Sequence, residues 1–194
     1  MDAVFLLLSP YSKAFIMVFL IRTADVADSD LFPDIERSSG KIFLTIPDLA
    51  WIADDDVTSS EDHCRYIRQG TVWVAETSQG EVAGFLTAEV AGNELHIWLL
   101  AVEYAFQRKG LGRRLVSTAV AYAENNRLNA VTLTTFRDVV WNEPFYAALG
   151  FKTLAISAIT PRLSEALERE IRHGMPGKKR CAMQRNCATI SASS

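Results

Sequence analysis

A β-α-β unit near the centre of the chain constrains its fold more than any other feature of the sequence. The apolar stretch Leu95 to Val102 predicts a strand, and residues 111–123 then repeat apolar side chains at helical spacing. A β-branched stretch, Ala130 to Thr134, predicts a buried strand after that helix. A helix that joins two strands of one sheet in this way usually makes the strands parallel, so the chain is assigned to the α/β class.

The segments on either side of this unit predict further strands and helices. Before it, apolar stretches separated by turns at residues 78–80 and 92–93 predict a three-stranded antiparallel meander. Nearer the N-terminus we expect a strand at 18–22, helices at 25–39 and 60–69, and a loop at 47–59. After the unit we expect a short helix beginning at Asn142, a strand at 151–156, a helix at 161–172 and a last strand at 179–185.

Charge is divided unevenly along the chain, although the formal net charge of the 194 residues is only −3. Residues 1–62 carry 12 acidic and 4 basic side chains, and the remaining residues carry 11 acidic and 16 basic ones. A chain with a net negative charge is a poor general polyanion binder, so we expect no nucleic-acid partner. The basic second part can hold a small anion.

The three cysteines, Cys64, Cys181 and Cys187, are an odd number without the spacing of a metal site. This pattern is typical of a reduced cytoplasmic protein with free thiols, and it predicts no metal. Residues 1–21 are unusually apolar, but Asp2, Pro10 and Lys13 interrupt them. We therefore expect neither a secretory signal nor a membrane span there, with a peripheral membrane anchor as the alternative.

A second methionine, Met17, stands just before the first predicted strand. We expect translation to begin naturally at Met17 and residues 1–16 to form a loosely attached extension. The predicted organisation is a single domain over residues 17–185, followed by a flexible tail at 186–194.

A glycine-containing loop, Gln107 to Arg114, connects the first strand of the β-α-β unit to its helix. Its two glycines allow a ligand to approach the backbone closely, and the free N–H groups at the start of the helix attract an anion. Arg113 follows the second glycine where a P-loop needs lysine, and Leu115 stands where a dinucleotide fingerprint needs a third glycine. The alternative is a turn that uses glycine only for tight packing.

Two motifs at a fixed separation identify a family resemblance. The loop has the pattern Gln-x-x-Gly-x-Gly, through Gln107, Gly110 and Gly112, after a strand that ends in Leu-x-Val at residues 100–102. The downstream segment 142–151 has the pattern Asn-x-x-x-Tyr-x-x-x-Gly-Phe. In both, the chain resembles the Gcn5-related N-acetyltransferase (GNAT) superfamily, in particular its small bacterial members. It departs from the family at Tyr104, where proline is common.

The resemblance implies a mixed, mostly antiparallel sheet of six or seven strands, with helices on both faces and a splayed central strand pair. It also implies acetyl-CoA as cosubstrate, with the pantetheine arm against Leu100, Ala101 and Val102. The pyrophosphate and its surroundings would then be bound by Gln107, Arg108, Lys109, Gly110, Leu111, Gly112 and Arg113. Asn142 is expected to touch the arm, although capping of the following helix is an adequate explanation for that residue.

Acetyl transfer needs a neutral amine, a polarised thioester and a proton for the departing thiolate. A lysine-like amine has a pKa of about 10.4, so only roughly one in 10³ is neutral at pH 7. The resemblance assigns Tyr146 as the general acid, and the alternative is a core aromatic. For the general base we consider Glu103, Glu89 and His96, or ordered water without a single base. Strand alternation predicts that His96, Trp98 and Leu100 share one side of their strand.

The acceptor is expected to be a primary amine of a small molecule, amino acid or peptide, attacked directly in a ternary complex. The acidic run Asp54 to Asp56 would attract a cationic acceptor or form only a solvated loop. Arg137 would bind a substrate carboxylate, or pair with Asp138 or another surface acid. Two other functions remain open, an aminoacyl-tRNA-acetylating toxin and a non-catalytic CoA-binding module, and a homodimer is possible.

Overall fold

Residues 18–188 are described by a computed structural model, and seven strands in them form one sheet. The strands are β1 (Phe19–Thr23), β2 (Val72–Thr77), β3 (Val82–Ala91), β4 (Glu94–Val102), β5 (Ala130–Phe136), β6 (Lys152–Thr153) and β7 (Arg180–Asn186). They lie in the order β1-β2-β3-β4-β5-β7-β6, and every neighbouring pair is antiparallel except β4 and β5. This confirms the predicted fold class.

Helices cover both faces of the sheet. They are α1 (Phe32–Gly40), α2 (Ser60–Arg68), α3 (Leu111–Asn125), α4 (Glu143–Ala147) and α5 (Pro161–Arg172). The apolar stripe of α3 and the aromatic side chains of α4 pack in the main core against one face. On the other face, α1 and α2 bury a second core, and α5 packs against β5 and β7. The two faces are therefore distinct surfaces that can hold different ligands.

Several predicted boundaries differ from the observed ones. The helix expected at 25–39 is a 3₁₀ turn over Val26–Leu31 followed by α1, because Pro33 fits only the first turn of a helix. Part of the loop expected at 47–59 is a 3₁₀ helix, Pro47–Asp54. The strand expected at 151–156 pairs only at β6, and β7 ends at Asn186, inside the predicted tail. Met17 and the proposed extension at 1–16 lie outside the described residues.

The parallel strands β4 and β5 separate part-way along their length. Backbone pairing runs only from Glu94 opposite Ala130 to Ile97 opposite Leu133, and beyond this point the two strands are no longer paired. The predicted splayed central pair is therefore confirmed. We call the gap between residues 98–102 of β4 and 134–136 of β5 the opening.

A β-bulge lies where the opening begins. The pairing of β3 with β4 shifts between Thr87 and Ala88, which leaves Trp98 as an extra residue in β4. The bulge moves the following side chains to the opposite faces of the sheet. Leu100 consequently packs on the α3 face, whereas His96 and Trp98 lie on the α5 face. The prediction that all three share one side is wrong for Leu100, because alternation continues only while the strand is regular.

Candidate active site

The edge of β4 that borders the opening offers unpaired backbone groups. The Glu103 N–H donates to the Ala83 carbonyl of β3 over 2.9 Å. Because backbone groups alternate between the two edges of a strand, those of Val102 and Leu100 point toward the opening. Gln107 Nε2 donates to the Val102 carbonyl over 3.1 Å, which leaves the Val102 N–H and both groups of Leu100 without a strand partner. An extended ligand can pair with these groups as an added strand.

The loop after β4 brings backbone N–H groups and positive charge to the start of α3. Arg108 and Gly110 have φ angles of 61° and 82°, and Gly110 is the residue that precedes the first turn of the helix. Left-handed residues of this kind turn successive N–H groups inward to form an anion-binding concavity. Arg108, Lys109 and Gly110 are exposed, and the Lys109 ammonium lies 4.8 Å from the Phe106 ring centroid. The arrangement fits a phosphate group.

Gly112 joins this loop to the other predicted motif. A Cβ at Gly112 would lie 3.4 Å from Phe145 and 3.6 Å from the Leu100 side chain. The end of β4, the first turn of α3 and helix α4 therefore meet at one point. The two segments that carry the sequence motifs thus contact each other at Gly112 and Phe145.

Tyr146 lies in the main core beside this point, with 7% of its surface exposed. Its ring makes edge-on contacts with Phe145 and Phe151, at centroid distances of 5.0 and 5.7 Å. Burial raises the pKa of the phenol well above its usual value near 10, so the hydroxyl stays protonated at neutral pH. Tyr146 is both a core aromatic and a possible proton donor, and its catalytic role stays a prediction.

Asn142 does not cap α4 with its side chain. Its Nδ2 group donates to Thr135 Oγ1 over 2.9 Å, and the helix start receives no hydrogen bond from it. Capping is therefore wrong as the explanation for this residue, because the neighbouring strand β5 offers its amide a partner. Its Oδ1 atom is buried without a partner among residues 18–188. An orphaned buried acceptor beside the opening fits the amide groups of a pantetheine arm.

The three candidate bases lie in different environments. Glu89 accepts a hydrogen bond from the indole Nε1 of Trp98 over 2.9 Å, and Glu103 forms no ion pair with the part of the chain described. His96 is fully buried, and its Nδ1 is bonded to Thr132 Oγ1 over 3.0 Å. Burial, together with the charges of Arg162 and Arg169, lowers the pKa of His96 to about 3. Such an imidazole is too weakly basic to take a proton from an ammonium group.

The α5 face of the opening carries a cluster that sequence analysis missed. Trp98 lies edge-on to His96, with ring centroids 4.3 Å apart, and the Arg169 guanidinium lies 5.5 Å from the Trp98 ring centroid. Arg137, the predicted carboxylate ligand, lies 3.9 Å from Glu143 and donates to the Arg180 carbonyl instead of pairing with Asp138. The charged pattern of α5 was visible in the sequence, but its contact with Trp98 depends on the fold.

Two acidic residues of the segment 41–55 have partners near the end of α5 and the start of β7. Asp48 binds Lys179 over 2.9 Å, and Asp55 lies 3.1 Å from His173. These pairs hold the segment 41–55 against the end of α5 and the start of β7. Within the predicted acidic run only Asp55 has such a partner, and the exposed Asp54 and Asp56 form no ion pair among residues 18–188. Attraction of a cationic acceptor by this run stays a prediction.

A family model decides the affiliation of the chain. The model described as acetyltransferase (GNAT) family matches residues 41–151, more than half of the chain. The chain belongs to the GNAT family. The match includes β2 to β5 and both motifs, so the opening and the glycine loop of this GNAT protein lie within it.

Solved structures of other GNAT proteins share the fold at low sequence identity. PaiA N-acetyltransferase from Thermoplasma acidophilum, solved with coenzyme A, is 17% identical at a TM-score of 0.64, over 88% of this chain and 99% of that one. The ribosomal-protein-S18-alanine N-acetyltransferase from Escherichia coli is 16% identical at a TM-score of 0.63, and the match covers 91% of this chain and 99% of that one. N-acetylglutamate synthase from Neisseria gonorrhoeae, solved with coenzyme A and N-acetyl-glutamate, is 16% identical at a TM-score of 0.65, and the match covers 88% of this chain and 35% of that one.

These identities support the shared fold and leave the acceptor of this GNAT protein open. Within residues 18–188, no helix is both long enough and apolar enough to cross a bilayer.

Proposed function

We propose that this GNAT protein transfers an acetyl group from acetyl-CoA to a primary amine, by direct attack in a ternary complex. The observation that carries the proposal is the convergence at Gly112. There the unpaired edge of β4, the anion-binding start of α3 and the helix of Tyr146 meet beside one opening in the sheet. A long thioester with a pyrophosphate at one end matches this arrangement.

Each part of the site has a task in binding the donor. The backbone of Leu100 would pair with the amides of the pantetheine arm, with the Val102 N–H left for the thioester, and Asn142 Oδ1 would accept a further hydrogen bond. The N–H groups from Arg108 to Gly112 would bind the pyrophosphate, with Arg108 and Lys109 supplying positive charge. Gln107 has an internal task, because its amide fixes the Val102 carbonyl and also donates to Ser39 of α1 over 3.3 Å.

The chemical step joins the amine nitrogen to the acetyl carbon and breaks the carbon–sulfur bond. The Val102 N–H would stabilise the developing oxyanion, a contribution of about 10²–10³ in rate for one such donor. Tyr146, kept protonated by burial, would give its proton to the thiolate. The amine proton would leave through Glu103 or ordered water, since Glu89 is engaged by Trp98 and His96 is buried with a low pKa.

The structure favours neither alternative function. A toxin that acetylates aminoacyl-tRNA needs a broad cationic surface. The basic cluster of Lys178, Lys179 and Arg180 is small, and two of its three side chains form ion pairs within the protein. Lys179 pairs with Asp48, and Arg180, with a side chain only 9% exposed, pairs with Glu170. A non-catalytic CoA-binding module would bind acetyl-CoA without turnover, so measuring both binding and turnover separates it from an enzyme.

The test measures acetyl-CoA binding and acceptor-dependent thiol release in the same preparations. Small amines, amino acids, peptides and aminoacyl-tRNA are each incubated with the protein and acetyl-CoA. Tyr146→Phe should lower turnover by about 10²–10⁴ with little change in acetyl-CoA affinity, because only the proton donor is lost. Tyr122→Phe, on α3 against Trp73, is the matched control and should leave turnover unchanged. Binding of acetyl-CoA without release to any acceptor would identify a binding module.

A further inference from the structure

Helix α5 brings charged residues to the face of the sheet opposite α3, beside the opening. It lies in the connection between β6 and β7, on the face of the sheet opposite α3. The hydroxyl of Thr134 donates to Glu170 Oε1 near the end of α5. Thr134 is the first residue of β5 beyond its last pair with β4, so the C-terminal half of α5 lies beside the opening.

Arg169 is held at this position by an aromatic ring. Its guanidinium lies over Trp98, the bulged residue at which β4 and β5 begin to separate. Trp98 is itself fixed by the bond from its indole nitrogen to Glu89 and by the edge-on contact with His96. A stacked guanidinium keeps its N–H groups free for a ligand in the plane of the group.

The other arginines near this face already have carboxylate partners. Arg162 binds Glu94, Arg180 binds Glu170 over 2.7 Å, and Arg137 lies 3.9 Å from Glu143. Arg169 has no carboxylate within 4.0 Å among residues 18–188 and is exposed to solvent. It is therefore the arginine of this group whose positive charge is available to a ligand at the opening.

We propose that Arg169 binds a carboxylate of the acceptor, which makes the acceptor an α-amino acid or a peptide with a carboxylate close to the reacting amine. The planar guanidinium can form two parallel hydrogen bonds with a carboxylate, a geometry that orients as well as attracts it. Glu89, on the indole nitrogen of the same Trp98, places a negative charge nearby that suits the ammonium group of such a zwitterion. The proposal rests on the acetyltransferase function proposed above.

The first experiment compares acceptors that differ only in the carboxylate. Phenylalanine, histidine and glutamate, and the dipeptides Gly-Phe and Gly-Glu, are each compared with the corresponding C-terminal amide as acceptors of acetyl groups. We expect kcat/KM to favour the carboxylates by about tenfold or more, as for a charge-assisted bidentate pair. The amine of each amide is less basic, so more of it is neutral at a given pH and it would react faster if the carboxylate had no binding role. A slower reaction of the amides would therefore be specific evidence that the carboxylate is bound.

Variants assign this preference to one side chain. Arg169→Gln should reduce the preference to about twofold or less by raising KM for the carboxylates, with little effect on the amides. Arg169→Lys should retain part of the preference for carboxylates, because the positive charge remains although the paired N–H groups of the guanidinium are lost. Arg172→Gln is the matched control, an exposed arginine on the same helix 3.9 Å from Glu168, and it should behave as the unmodified protein.

A binding measurement needs no chemistry and separates the two proposals. Calorimetry of the CoA-saturated protein with the same carboxylates and amides should give binding that Arg169→Gln weakens about tenfold and Arg172→Gln does not. Arg169-dependent binding without transfer to any amine would support the carboxylate site and end the acetyltransferase proposal. Transfer or binding that does not distinguish carboxylates from amides, or that ignores Arg169→Gln, would overturn the carboxylate site. So would the absence of any binding by these carboxylates.

Discussion

Replacing Gly84 of β3 by alanine tests how tightly the end of β4 that borders the opening is held. A Cβ at Gly84 would lie 2.7 Å from the Ala101 carbonyl oxygen and 3.0 Å from the Val102 Cα. Both atoms belong to the backbone of the strand whose other edge borders the opening, so no side-chain rotation can relieve the overlap. The end of β4 must move away from β3 by several tenths of an ångström or more.

The stability change follows from two opposing contributions. Overpacking of this kind costs about 1–3 kcal/mol, and loss of glycine from the unfolded chain returns about 0.4–1 kcal/mol. We expect Gly84→Ala to lower the free energy of unfolding by about 1–2 kcal/mol and Tm by about 2–8 °C. Acetyl-CoA should also bind more weakly, because the displaced residues include Val102, whose N–H faces the opening.

Gly40→Ala provides a control with the same chemical change. Gly40 has a φ of −63° at the end of α1, and a Cβ there would lie no closer than 3.4 Å to its neighbours. This variant should be neutral or stabilised by up to about 1 kcal/mol, with unchanged acetyl-CoA affinity. Urea unfolding and calorimetric titration measure both quantities. If Gly84→Ala were as stable as the unmodified protein and bound acetyl-CoA equally well, the overlap with β4 would not be the cause of either effect.

Three further predictions concern single groups of the site. The pKa of His96 is about 3 in the folded protein and 6.5 ordinarily, so neutral His96 stabilises the fold fully above pH 6.5, and this stabilisation falls by about 1.4 kcal/mol per pH unit toward pH 3. Between pH 5 and 7, the free energy of unfolding measured in urea should therefore change less with pH in His96→Gln than in the unmodified protein. The same pH dependence in both proteins would contradict this prediction. Asn142→Ala should reduce the rise in Tm on adding acetyl-CoA, because the unpaired Oδ1 is lost; an unchanged rise would remove Asn142 from the cofactor site. Arg108→Gln should weaken acetyl-CoA binding several-fold, and the effect should be smaller at high salt. Arg127→Gln is the control, because Arg127 is also left-handed, with a φ of 56°, but lies at the far end of α3, and it should leave acetyl-CoA affinity unchanged. Calorimetry at two salt concentrations tests both variants.

Elements with local signals were predictable from the sequence. Helix α5 has the predicted bounds 161–172, because Thr160 caps it, Pro161 fits its first turn and Gly174 follows its end. The glycine loop and α3 were predictable for the same reason, since Gly110 marks the left-handed turn and the apolar repeat marks the helix. In each case the residues that fix the element lie within it or next to it.

Features that depend on distant partners could not be predicted. No glycine or turn residue marks the bulge at Trp98, which arises from the register between β3 and β4. The Asn142 amide prefers Thr135 of β5 to the helix that follows it, and only the fold brings Thr135 within reach. Arg169 is one of several charged residues on α5, and its position over Trp98 follows from how that helix packs across the sheet.

The bulge connects the two halves of the proposed reaction. An acetyltransferase must bring the acceptor amine against one face of the carbonyl carbon of its donor, and a regular strand alternates its side chains evenly along its length. With Trp98 inserted in β4, Leu100 contacts the glycine loop and α4, while Trp98 lies against Arg169 on the other face. Without the extra residue, the side chains that follow in β4 would exchange faces, and Leu100 would leave the cofactor side. The single inserted residue thus lets one strand line the proposed cofactor site with Leu100 and the proposed acceptor site with Trp98.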